Sequence, residues 1–144
     1  MIHRRFAGML EFDRNGPPLS GTAAQQAAIR DSIRRHAPYG SPLHQALHKL
    51  DVAVNLKGRH FIPVGFADMA SIGLLGFCWP LYLQLHEGLD PDWIEPVFLH
   101  ELGHLVGWHV TSDSSEGWAT GFQQWITQGQ DTDSPVWQKI KETS

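Results

Sequence analysis

His100, Glu101, Leu102, Gly103 and His104 read as HExxH, and these are the residues whose types and spacing best suit chemistry in this chain. On an α-helix, positions four apart lie about 40° apart around the axis and one turn apart along it, so both imidazoles can reach one cation. Glu101 stands about 60° from His104 on the same side, near enough to take a proton from a water on that cation without displacing it. The arrangement suits a metal-dependent hydrolase, with one zinc ion per chain as the expected cofactor. With nine histidines and six glutamates in the chain, random placement yields only about 0.02 such motifs.

Two histidines hold zinc weakly, so a third protein donor should follow. Glu116 stands twelve residues beyond His104, in the run Ser115-Glu116-Gly117-Trp118-Ala119-Thr120. A second helix starting near Ser114 would bury Trp118, Phe122, Trp125 and Ile126 and leave Glu116 and Thr120 on the side toward the first helix. Asp113 and His109 are the alternative ligands. Asp113 lies in the polar turn from Thr111 to Ser115 and suits a helix cap equally well. His109 comes one residue too early for the extended HExxHxxGxxH pattern, and on a continuous helix it points about 180° away from His100.

HExxH followed by a helix bearing Glu-Gly-aromatic-Ala resembles the gluzincins, the thermolysin-like and aminopeptidase-like zinc peptidases. The resemblance spans Asp90 to Gln128, about a quarter of the chain, and is specific for metal chemistry rather than for substrate. It implies a compact zincin-like α+β fold: a small mixed sheet packed on the HExxH helix, with a second helix supplying the third ligand. It also implies that His100, His104 and Glu116 hold zinc, and that Glu101 is the general base of a metallopeptidase cleaving a peptide or protein substrate. Two departures stand out. The spacer between His104 and Glu116 is short, and both tyrosines, Tyr39 and Tyr82, precede the motif, so no downstream tyrosine supplies the oxyanion donor many gluzincins use. His86, beside Glu87 just before the motif helix, is a candidate oxyanion stabiliser, as is His60 more remotely.

The elements that must position these groups follow from pattern. A motif helix is expected from Pro91 to Gly107, capped by Asp90, with Asp92 and Glu95 favouring its N-terminus. Phe98, Leu102, Leu105 and Val106 form its buried reverse face, and Gly103 and Gly107 let the second helix approach. Upstream, residues 5–12 read as a strand ending at the turn Asp13-Arg14-Asn15-Gly16, and Thr22–His36 and Ser41–Leu50 as helices. Asp51–Lys57 and Phe61–Phe66 read as a hairpin around Gly58-Arg59, and Ile72–Leu85 as one or two further strands. Pro80 marks the last of these as a sheet edge, where an extended peptide could add as a strand. Trp79 is a candidate pocket wall. His44 and His48, also four apart, read as an exposed polar helix face rather than a second metal pair. Ser134-Pro135-Val136-Trp137 begins a short final helix that packs through Trp137 and Ile140.

At 144 residues and 42% hydrophobic content the chain suits one domain, 1–144, with the metal-site core at about 90–128. A net charge of −4 gives no reason to expect nucleic acid. The single cysteine, Cys78, excludes an internal disulfide. No apolar run reaches membrane-spanning length and the start lacks a secretory leader, so the expected location is cytoplasmic, or outside by a route without a classical signal peptide. Two further readings accompany the peptidase: a catalytically silent zinc-binding interaction module, and a metallohydrolase restricted to one regulatory or toxin-type target. Nothing in the sequence sets the oligomeric state.

Overall fold

The computed structural model describes residues 10–12, 21–58, 61–80 and 82–143, with backbone alone for 10–12. The expected turn at Asp13–Gly16, most of the strand expected over 5–12, and Arg59 and His60 lie outside these residues. A three-residue strand, β1 (Leu10–Phe12), comes first. Thr22 then opens helix α1 (Ala23–His36) with a reciprocal cap: its hydroxyl accepts from the Gln25 amide, and the Gln25 side chain accepts from the Thr22 amide. Ser41 caps α2 (Pro42–Leu56).

Helix α2 runs six residues further than its sequence suggested, so Asp51–Lys57 is not a strand. Leu43, Ala46, Leu47, Leu50 and Val54 recur at helical spacing and all are buried, which ties the whole run to one helical face. Gly58 follows at φ +79°, the left-handed conformation glycine adopts after a helix. The expected hairpin therefore does not form. Strand β2 (Ile62–Ala67) pairs in parallel with β1 on one side and with β4 (Tyr82–His86) on the other. Within Ile72–Leu85 there are two strands: β3 (Gly76–Trp79) folds back antiparallel on β4, pairing Gly76 with Leu85 and Trp79 with Tyr82. The sheet order is β1-β2-β4-β3. Pro80 sits in the turn rather than in a strand, so the edge beside it is β3, while β4 is internal.

Asp90 caps α3 (Pro91–Val106) by accepting from the Asp92 amide, with Pro91 in the first turn. Phe98, Leu102, Leu105 and Val106 are fully buried, in one core with Val64 and Phe66 of β2, Leu83 and Leu85 of β4, and Leu47 and Leu50 of α2. The helix then widens into a π-helical turn, Gly107–Thr111, and a link at 112–115 leads to α4 (Glu116–Thr127). Trp118, Phe122, Trp125 and Ile126 are buried as their spacing required. Helices α3 and α4 meet where side chains are smallest. A Cβ on Gly103 would stand 3.0 Å from Ala119 Cα, and the Trp118 indole donates to the Gly103 carbonyl at 2.8 Å. The last helix, α5 (Pro135–Glu142), stacks Trp137 on Trp125 with ring centroids 6.1 Å apart. Lys49 of α2 donates to the carbonyls of Ile140, Lys141 and Thr143, closing the C-terminal end of α5. The chain is thus α+β, and among the described residues no helix is long and apolar enough to cross a membrane.

Candidate metal centre

The i, i+4 spacing on α3 turns His100 and His104 the same way, with ring centroids 5.0 Å apart and planes 81° to each other. His100, Glu101 and His104 each offer a donor atom within 4.8 Å of the others, a group that could hold a metal ion. Glu116, the first residue of α4, closes this group from the neighbouring helix. Its Oε2 lies 2.9 Å from His100 Nε2 and its Oε1 2.8 Å from His104 Nε2. Of the two carboxylates, Glu116 alone touches both rings, and its side chain is 78% exposed. Glu101 is buried, and a Cβ on Gly76 of β3 would stand 3.1 Å from Glu101 Cγ and 3.3 Å from its Oε2.

The donor chemistry can be tested on His104. Its Nδ1 lies 2.8 Å from the Ser114 carbonyl, which can only accept, so Nδ1 carries the hydrogen. In the neutral ring Nε2 is then a lone pair aimed at the Glu116 carboxylate, and two such atoms need a proton or a cation between them. Two imidazole nitrogens and one carboxylate make a three-donor set that leaves a further position open. The residues present therefore fit a divalent ion.

The two carboxyl groups are pushed in opposite directions. Burial raises Glu101 above the ordinary carboxylate range and the nearby Glu116 adds to the rise, against the pull of His104 and His100. For Glu116 burial also pulls upward, but the hydrogen bonds and charges of His100 and His104 together outweigh it and hold the group low. One carboxyl is thus tuned toward holding a proton and the other toward staying ionised.

Compared with known proteins, the chain matches no family model, no curated protein and no solved structure.

The other sequence candidates stand apart from this cluster. His109 leaves α3 on the π-helical turn, and both its nitrogens are occupied: Nε2 at the Pro80 carbonyl and Nδ1 2.6 Å from Lys57 Nζ. Burial, opposed by the Pro80 contact and reinforced by Lys57, holds its pKa down. Asp113 accepts from the Ser115 amide at 3.1 Å and pairs with Lys139 at 3.1 Å, and the Ser115 side chain, then Lys139 and the Ser115 amide, hold its carboxyl at about 2. Ser115, rather than Asp113, caps α4. His86 accepts at Nδ1 from the Met69 amide and lies outside the cleft walls. His44 is buried against Tyr39 while His48 is exposed, so the two do not share the polar face expected of them. Trp79 is exposed and packs on Phe77 and Tyr82, away from the cleft.

An open cleft of about 340 Å³ runs from the cluster between β3 and the two helices, walled by Leu74, Leu75, Gly76, Trp93, Pro96, Val97 and Gln123. Trp93 and Gln123 went unremarked in the sequence, yet each carries a signal. Trp93 lies seven residues before His100 and Gln123 seven after Glu116, the separation that returns a helical side chain to the same face. The Ser114 carbonyl, as a backbone group in a link, has no such signature.

Proposed function

We propose that this chain is a gluzincin-type zinc metallopeptidase with a compact zincin-like fold. The observation that carries this reading is the convergence of the His100, His104 and Glu116 donor atoms beside a buried, proton-seeking Glu101 at the head of an open cleft. His100, His104 and Glu116 would hold the ion. When bound, zinc brings the pKa of water down to about 7 and polarises a carbonyl. Glu101 takes a proton from water and delivers it to the leaving amine, and its burial raises its basicity for that task. Among the described residues β3 pairs with β4 on one side only, and Gly76 brings its backbone directly onto Glu101. An extended peptide lying along β3 would present its carbonyl to the cleft by strand addition. A small domain of this kind suits a restricted substrate set.

Glu101→Gln tests the reading, with zinc counted by mass spectrometry and cleavage followed on a diverse peptide library. The variant should keep one zinc per chain and lose roughly 10²–10⁴-fold in turnover. Undiminished turnover would overturn the assignment. A wild-type chain that holds zinc and cleaves nothing in the library would indicate a silent binding module, the reading favoured by Tyr39 and Tyr82 both preceding the motif.

A further inference from the structure

We propose that Lys139 and Asp113 form a positioning strut that sets the metal affinity of the centre from outside it. The inference rests on the reading of His100, His104 and Glu116 as the donor set. Neither strut residue contacts a donor. Their influence passes through the link at 112–115, which carries two groups the centre depends on: the Ser114 carbonyl that accepts from His104 Nδ1 at 2.8 Å, and Ser115, whose hydroxyl caps α4 and so places Glu116.

Asp113 fixes that link at three points. Its amide donates to the Gly107 carbonyl at 3.0 Å, its Oδ1 accepts from the Ser115 amide at 3.1 Å, and its Oδ2 meets Lys139 Nζ at 3.1 Å. The first ties the link to the end of α3, as the Ser114 carbonyl also does at His104, and the second lies within the link. The third runs to α5 and holds the link from that separate element as well. Lys139 Nζ also stands 5.5 Å from the Trp118 ring centroid, and Trp118 in turn donates to Gly103 inside the HExxH motif. One ammonium group thus references the link, α4 and α3 to a common point.

The exposure of the pair separates this role from a structural one. Lys139 and Asp113 side chains are 45% and 35% exposed, and ion pairs this open contribute little to stability. An outer partner that orients a metal-binding imidazole, by contrast, typically changes affinity about 10–100-fold when removed.

The test is the zinc dissociation constant of the full chain, measured by competition with a chromophoric chelator alongside thermal melts of the metal-free forms. Lys139→Met removes the ammonium group while keeping an unbranched side chain of similar length, and should weaken zinc about 10-fold. Asp113→Ala, which also frees the Ser115 amide, should weaken it further, while Lys139→Arg should bind like wild type. Cobalt substituted for zinc should show the same tetrahedral absorption bands in Lys139→Met as in wild type, because every donor is retained. Unchanged affinity in both Lys139→Met and Asp113→Ala would overturn the proposal. So would a lowered melting temperature with unchanged affinity, or Lys139→Arg binding as weakly as Lys139→Met. A wild-type chain that takes up no zinc would fell the donor assignment itself, and the strut with it, a result distinguishable because the failure lies in the parent.

Discussion

Gly107→Ala places one methyl group where the structure has no room for it. The backbone at Gly107 is helical, with φ −60° and ψ −44°, so alanine is conformationally welcome and should gain about 1 kcal/mol in helix propensity. Against this, the new Cβ would stand 2.0 Å from the Asp113 carbonyl oxygen and 2.7 Å from Trp118 Cδ1. Backbone cannot swing aside as a side-chain tip can, so the link must withdraw by at least about 1 Å merely to lift the overlap. Overpacking of this kind costs about 1–3 kcal/mol, leaving a net loss of roughly 0–2 kcal/mol after the propensity gain. The larger effect falls on the centre. The next carbonyl along, Ser114, is 2.8 Å from His104 Nδ1, and a withdrawal of about 1 Å takes that pair beyond hydrogen-bonding range. Zinc affinity should then fall by about 10-fold or more. Gly121→Ala is the control: its Cβ meets only Val136 Cγ2 at 3.7 Å, so it should gain about 0.5–1 kcal/mol from propensity and leave zinc unaffected. Melts of the metal-free proteins and chelator competition read both quantities. If Gly107→Ala matched Gly121→Ala in affinity, the link would not be coupled to the ligands as argued.

Two further outcomes follow from shifted ionisations. Burial, with Glu101 adding to it, pushes the Cys78 thiol up to about 12, so the folded protein should react with an aromatic disulfide reagent at pH 8 no faster than it unfolds, and stoichiometrically in urea; rapid labelling of the native state would contradict the buried placement. Asp113 is held at about 2 against an ordinary 3.8, so the unfolded chain binds its proton more readily; its contribution is complete above pH 3.8 and lost as pH falls through about 2. Asp113→Asn should flatten the loss of stability across that interval only slightly, because the carboxyl is open to solvent, and a steeper acid limb in the variant would count against the Asp113–Lys139 pairing.

The candidate site was largely legible because its donors lie on helices with strong local signals. Asp90-Pro91 marks the start of α3, Ser115 caps α4, and the buried faces of both helices follow the 3.6-residue period. The fold around it was less so. Val52 and Val54 favour a strand locally, and only the longer pattern from Leu43 to Val54, completed by burial, makes them helix. The parallel pairing of β2 with β1 and β4 depends on residues far apart in sequence, which periodicity does not encode. The π-helical turn at Gly107 was also unforeseen. It arises where Gly107 admits the Asp113 carbonyl and Trp118 competes for the Gly103 carbonyl, and it carries His109 to the Pro80 turn.

The side of β3 that has no strand partner among the described residues bears on how this protein behaves in concentrated solution. An unpaired strand edge bearing exposed aromatics, here Phe77 and Trp79, invites other chains to stack on it and begin a fibre. Here that hazard is limited by brevity: β3 has four residues and β1, at the other margin of the sheet, has three. Pro80 follows β3 directly and offers no N–H with which to extend the ladder. Four residues span only about 13 Å, enough to hold a short run of extended chain and too little to anchor a growing stack.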